Sequence, residues 1–403
     1  MERALKPRRS RIGPIVLALL GAALLLLPFF AAAAPVTKEF RKEMTARPGL
    51  VVVLENLAGA VTLEGTKEGP VQILATIHAG SAPLLEELPI EVVESGGRIE
   101  VTAKYPVDKH DVFRYGGSEE KTFLFGHSST STTYLGRRVK VISGGLGGTE
   151  LWADFHLLLP AGTGASVRNE VGKISAVNVA GPLTARTGSG VVHIEGGEGD
   201  TKARSGSGDV AVKGRKGSVE ADTGSGDVAI LNVAGDLSVG TGSGNAAIDE
   251  VTGSVSAHTG SGDVELKRVE GERVKVRTGS GEIRLLGVKA SLDAGTGSGG
   301  IRGDDLTVSG ALTVDTGSGS IGLDGDFGAL TEAKVGTSSG DVSLRMAKAP
   351  GMSLSCRTSS GDIDVDIGGT KVRSERKLEI AVGGGGAPVT VRTSSGNIRL
   401  EGK

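Results

Sequence analysis

The chain has 403 residues, with 66 glycines, only 12 aromatic residues (8 Phe, 3 Tyr, 1 Trp), a single cysteine, and 45 basic groups against 47 acidic ones. Such a length allows two or three domains or one elongated repeat. The near-neutral balance, with no Lys/Arg stripe beyond the first residues, excludes a nucleic-acid footprint. Abundant glycine with only 13 prolines and no three-residue period excludes collagen and implies many tight turns.

In chain order, Lys6, Arg8, Arg9 and Arg11 precede an apolar segment from Ile12 to Phe30, and Ala31 to Ala34 supply the small residues a signal peptidase needs. Residues 1–34 therefore predict a signal peptide cleaved after Ala33, and an extracytoplasmic product that is periplasmic, cell-surface or secreted. The apolar run is near spanning length, so an uncleaved membrane anchor is the competing reading. No cysteine follows the run, which excludes a lipoprotein signal.

Residues 35–160 predict an N-terminal β region or cap. Leu54 to Gly65 (LENLAGAVTLEG) reads as a first coil or cap, Val71 to Ile77 as a strand, and Ile90–Glu94 with Ile99–Lys104 as a hairpin through SGGR. A loop insertion from Tyr105 to Thr149 follows, with GGSEE, HSSTSTT and SGGLGG segments, before Leu151 to Pro160 resumes the pattern. Eight of the twelve aromatics fall between Tyr105 and Phe155. They either pack over the open end of the repeat or form a recognition surface of Tyr105, Phe113, Tyr115, Phe123, Phe125, Tyr134 and Trp152. His110 and His127, beside Asp108 and Asp111, lack the spacing of a zinc site.

Residues 161–403 repeat. A TGSG or TSSG turn begins at Thr187, Ser205, Thr223, Thr241, Thr259, Thr278, Thr296, Thr316, Thr337, Thr358 and Thr393, and Asn169 opens a degenerate copy. Most steps are 18–21 residues and the last is 35. Apolar residues alternate, as with Val228 and Ile230, then Leu237 and Val239, so each unit is strand, turn, strand, turn without a helix. Matching strands of successive units pair in parallel, at about 4.8 Å per coil, and twelve coils make a rod of roughly 50–60 Å. This is an all-β parallel β-solenoid with a core of residue ladders. One ladder holds Ala203, Ala221, Val239, Ala257, Val276, Ala294, Val314, Val335, Cys356 and Val391, and Cys356 is read there as a small core residue. Outward charges alternate in sign from coil to coil, Lys202 before Glu220, Arg204 before Asp222, Lys275 before Asp293.

Thr187, Gly188, Gly190, Thr223, Gly224, Gly226, Thr241, Gly242, Gly244, Thr259, Gly260 and Gly262 are read as structural turns. Inward parity slips between Gly224 and Asp227, and the glycines are expected to supply positive φ there. On that account a β-branched residue at Gly224 or Gly226 lowers stability by roughly 1 kcal/mol or more. GTGSGG at Gly295–Gly300 fits GxGxxG but is followed by a strand where a dinucleotide site needs a helix, and neither a P-loop nor a GxSxG elbow is present. The acidic turn residues come once per coil, too sparse for a calcium-binding roll, and the threonines face inward, unlike an ice-binding ladder.

NLAGAVTLEG, then LLLPAGTGASVRNEVGKIS, then TGSGDV and TSSGDI turns and a closing VTVRTSSGNIRLEG resemble the bacterial putative-adhesin family of unknown function with β-strand repeats, also called the toast-rack domain. The resemblance spans about residues 45–403. It implies an envelope-associated β-solenoid linked loosely to adhesion and envelope stress, and brings no catalytic residues.

The sequence thus points to an exported, non-enzymatic β-solenoid, adhesin-like or structural, whose partner is a glycan, lipid or membrane protein of the cell envelope. No cofactor or metal is expected. A stress-sensing component acting with a membrane partner is the alternative, and a carbohydrate-active β-helix enzyme a third class. For the enzyme, Arg186 with Arg204, and Asp362, Asp364 and Asp366, are the only candidate groups.

Overall fold

The computed structural model describes residues 35–116, 128–143 and 147–402, so the leader at 1–34, Phe123, Phe125 and His127 lie outside the described residues. Pro35–Lys403 is one compact unit. The fold is a parallel β-solenoid, and one apolar core runs through it from Leu50 to Leu400.

A central coil shows how the repeat builds it. Val228–Ala234 and Leu237–Thr241 are strands, paired in parallel with the equivalent strands on either side. Val228, Ile230, Val233, Leu237, Val239 and Thr241 point inward and are buried. The ladder from Ala203 to Val391, Cys356 included, is buried throughout. Small and β-branched side chains fill so narrow an interior without leaving voids.

The coil bends at three places, one more than the sequence grammar shows. Besides TGSG and the Gly235 turn, Asn232 sits in the left-handed region at φ 54°, so Leu231 and Asn232 both face outward before Val233 turns in. Asn178, Gly196, Gly214, Glu250, Arg268, Gly287 and Asp305 repeat this corner in seven other coils, with φ between 49° and 68°. Glycine and asparagine enter this region readily, whereas glutamate and arginine are held there by the ladder on both sides.

At TGSG the hydroxyl does two jobs. Thr223 Oγ1 donates to the Gly208 carbonyl of the preceding coil (2.7 Å) and accepts from the Gly226 N–H of its own turn (3.2 Å). Thr241, Thr259, Thr278 and Thr296 repeat both bonds. The Asp or Asn after the motif adds an outer ladder, in which Asp227 Oδ1 accepts the Asn245 N–H (2.7 Å) and Asn245 Oδ1 the Asp263 N–H (2.9 Å). The reason for glycine is not the one expected. Neither Gly224 nor Gly226 lies in the left-handed region. Instead a Cβ on Gly226 would overlap the Gly208 carbonyl, coming within 2.5 Å of its carbon, and one on Gly224 would overlap the Gly206 oxygen. The glycines form columns in which backbone rests on backbone.

Both ends depart from simple sequential stacking. Spacing places the coil of Thr393 after that of Thr358, but Ala387–Ser395 pairs with Ile321–Ser339 on one side and Met352–Arg357 on the other. Likewise Ile398–Gly402 lies between Val342–Lys348 and Ile363–Ile367. The chain overshoots by one coil, turns back through the antiparallel strands Thr370–Ser374 and Lys377–Val382, and slots its last coil inside. The N-terminal end mirrors this. Val51–Ala58 lies between Gly164–Val171 and Arg98–Ala103, and Val61–Thr66 between Ile174–Val177 and Thr149–Pro160. Antiparallel Ile90–Ser95 and Val71–Ala79 close this end, and Val36–Met44 forms the outer edge. Lys38, Glu39, Arg41, Lys42 and Glu43 on that edge, and Lys371, Arg373 and Lys377 at the other end, discourage further strand pairing.

Two consequences are measurable. Gly226→Val should lower stability by at least about 2 kcal/mol through overpacking, whereas Gly322→Ala, where a Cβ meets nothing within 4 Å, should stay within about 0.5 kcal/mol in thermal unfolding. Truncation after Gly386 should make Met352–Val382 protease-sensitive, because its supporting coil is then missing; a chain stacked in sequential order would keep that segment protected.

Candidate functional site

Since the corners are consumed by stacking, chemistry must sit on the outward columns. The wall formed by Leu183–Ser189, Thr201–Ser205, Val219–Thr223, Leu237–Thr241 and Val255–Thr259 carries two shallow grooves. One, of about 510 Å³, is lined by Ser218, Ser238, Ser254 and Ser256, with Lys202 and Glu220 towards one end and Arg273 and Lys275 towards the other. The second, of about 440 Å³, follows the TGSG corners and is lined by Arg168, Arg186 and Arg204, by the carboxylates of Glu170 and Asp222, and by Thr187 and Gly206.

Arg168, Arg186 and Arg204 are direct cross-strand neighbours on three successive coils. Arg168 Nε donates to Glu170 Oε1 at 2.5 Å, which raises the Arg168 pKa. Glu170 also accepts from Thr132 Oγ1 (2.5 Å). Arg204 donates to Glu220 and, at 3.2 Å, to Asp222. Hydrogen bonds from Arg204 and then Lys202 hold the Glu220 carboxyl below its usual range, while burial outweighs Arg204 at Asp222 and raises it. Arg186 is exposed and makes no hydrogen bond or ion pair among the described residues. Sign alternation holds elsewhere on this wall, with Lys202 on Glu220 and Arg277 on Asp293 and Asp315.

Five of the aromatic residues proposed as a contact surface are among the described residues, and they pack inward. Tyr105, Phe113, Tyr134 and Trp152 are buried and Tyr115 is half-buried. Tyr105 packs edge-on against Phe113 and Tyr134, and Trp152 stacks on His78. The Tyr105 hydroxyl donates to the Ala58 carbonyl (2.8 Å) and accepts the Ala153 N–H (3.1 Å). It also lies 3.2 Å from Asn56 Oδ1, and Asn56 in turn donates to Asn169 (3.0 Å). Asn56 and Asn169 stand where later coils have threonine, so Tyr105 caps the corner ladder. Burial raises its pKa and that of Tyr134.

Sequence reading gave no sign of Arg215, a fully buried cation in the column of Val233 and Val251. Its guanidinium fills the space above Gly197 and donates to the carbonyls of Val179, Gly181 (2.7 Å), Gly196 and Gly199 and to Thr201 Oγ1 (2.7 Å). Every acceptor is uncharged, and burial lowers its pKa. So completely bonded a group is a packing element.

Of the enzyme candidates, Arg186 and Arg204 are neighbours on the grooved wall, but Asp362, Asp364 and Asp366 are not among the residues lining its grooves. Asp364 and Asp366 lie on a strand at the C-terminal end, where Asp366 pairs with Lys371 (3.0 Å). Among the described residues no group of three or more His, Cys, Asp or Glu side chains is placed to hold a metal ion, and no helix is long and apolar enough to cross a membrane. Cys356 is buried, and its thiol is pushed up to about 12 by desolvation. Because the thiolate is the reactive form, iodoacetamide at pH 8 should leave the folded protein unmodified over hours and label it within minutes in guanidinium.

Residues 232–401 match the Toastrack DUF4097 family. No curated protein matches the chain. Among solved structures, a putative cell adhesion protein from Clostridium sporogenes aligns at 11% identity and a TM-score of 0.18, over 91% of this chain and 100% of its own. A putative adhesin from Parabacteroides distasonis aligns at 14% identity and a TM-score of 0.29, over 76% of this chain and 97% of its own. The ladders and corners of residues 232–401 fall within the stretch that this family model matches.

Proposed function

We propose that the protein is exported and acts without catalysis, as an adhesin-like solenoid that holds a component of the cell envelope on its second-strand wall. The observation that carries this reading is the division of labour within each coil. The Thr, Gly and Asp of the corners are bonded from coil to coil, which leaves the outward columns, with their serine and arginine grooves, as the part free to meet a partner. Export rests on the basic and apolar segments of residues 1–34. A stress-sensing role beside a membrane partner is the second reading, favoured if Ile12–Phe30 stays attached.

Cell fractionation with N-terminal sequencing tests export. The expected product starts at Ala34 and is found outside the cytoplasm; an intact N-terminus in the membrane fraction selects the anchored sensor, and a soluble cytoplasmic chain contradicts both. For binding, immobilised protein should retain material from purified envelope, and retain less after Arg204→Glu with Ser238→Trp, a pair that alters both grooves.

A further inference from the structure

We propose that Arg186 is the centre of a site for an oxyanion group (carboxylate, sulfate or phosphate) carried on a linear acidic glycan. The inference rests on the envelope-binding reading above and names its ligand class. Three arginines on consecutive strands, at a spacing of about 4.8 Å, repel one another, and this wall otherwise sets opposite charges together. Arg168 is neutralised by Glu170, and Arg204 by Glu220 and Asp222. Arg186, between them, keeps its full set of guanidinium donors for an outside partner among the described residues. Planar, bidentate recognition of an oxyanion is what this side chain does best.

The surroundings decide how large that partner is. The column continues into Glu55 beyond Arg168 and into Asp222 beyond Arg204, so the positive stretch is three coils wide, about 10 Å, and closed by acid at both ends. With the five cations and one anion of residues 1–34 set aside, 40 basic groups face 46 acidic ones. A plane of anionic headgroups would meet these flanking carboxylates and the net negative field. A single glycan strand meets only the notch. Arg204, Glu220 and Lys202 connect this groove to the serine-lined one, whose hydroxyls suit sugar hydroxyls.

The test is titration calorimetry of Pro35–Lys403, which holds all the packing described, with polygalacturonate oligosaccharides at low and physiological salt. Uncharged dextran, inorganic phosphate and phosphatidylglycerol vesicles form the comparison arms. Binding of the oligosaccharide is expected, weaker at higher salt, absent with dextran and at least tenfold weaker in Arg186→Ala. Arg186 is exposed, so this variant should melt like the parent, and Arg399→Ala on the opposite wall should bind like the parent. Phosphate alone should compete weakly. Equal affinity in Arg186→Ala, equal loss in Arg399→Ala, binding to vesicles in place of glycan, or no binding at all overturns the site. If envelope material is nevertheless retained by the immobilised protein, only the ligand assignment falls. If neither binds, the envelope reading falls with it.

Discussion

Everything in this fold depends on coils meeting at the spacing of hydrogen-bonded strands, corners included. Along the walls that spacing is ordinary, because strand pairing sets it. At a corner the backbone changes direction, and its polar groups would be left without partners unless the next coil supplies them. The TGSG corner answers this with a hydroxyl that bonds both its own turn and the coil below, and with glycines that let one peptide lie directly on another. The outer Asp or Asn ladder completes the set with a second coil-to-coil bond. A solenoid built this way is stabilised by nearest-neighbour terms, so each corner contributes once per coil.

The same constraint explains the ends. A parallel stack that simply stopped would leave two open strand edges. Here antiparallel return strands cover them, and the chain then places a coil back inside the stack at each end. The buried ring cluster around Tyr105 belongs to this closure, since its hydroxyl caps the ladder where threonine gives way to asparagine. What remains outward is a regular wall whose side chains can vary without disturbing any corner.

Much of this architecture was legible in the amino-acid order, because a solenoid writes its geometry into its period. Alternation of Val228 with Ile230 and of Leu237 with Val239 exposes the strands, and the return of the TGSG turn exposes the coils. Three features were hidden for physical reasons. The order of the terminal coils is invisible because stacking by sequence and stacking by insertion have the same period. The left-handed corner carries no single residue type, since Asn232, Glu250 and Arg268 all occupy it. The glycines were visible but their reason was not: close approach between coils is a tertiary fact, whereas positive φ would have been a local one. The candidate wall was half legible. Arg186 and Arg204 stood out by position, but only the register and the side-chain contacts set Arg186 between two arginines with no counterion of its own among the described residues.

The central claim is that each corner is a coil-to-coil junction and not a surface loop. Hydrogen exchange resolved to single amides tests it most directly. The N–H groups of Gly226, Gly244 and Gly262, bonded to buried threonine hydroxyls, and those of Asn245 and Asp263, bonded to the outer ladder, should exchange as slowly as the strand amides beside them. Exchange of these corner amides at loop rates, with the walls still protected, would contradict it.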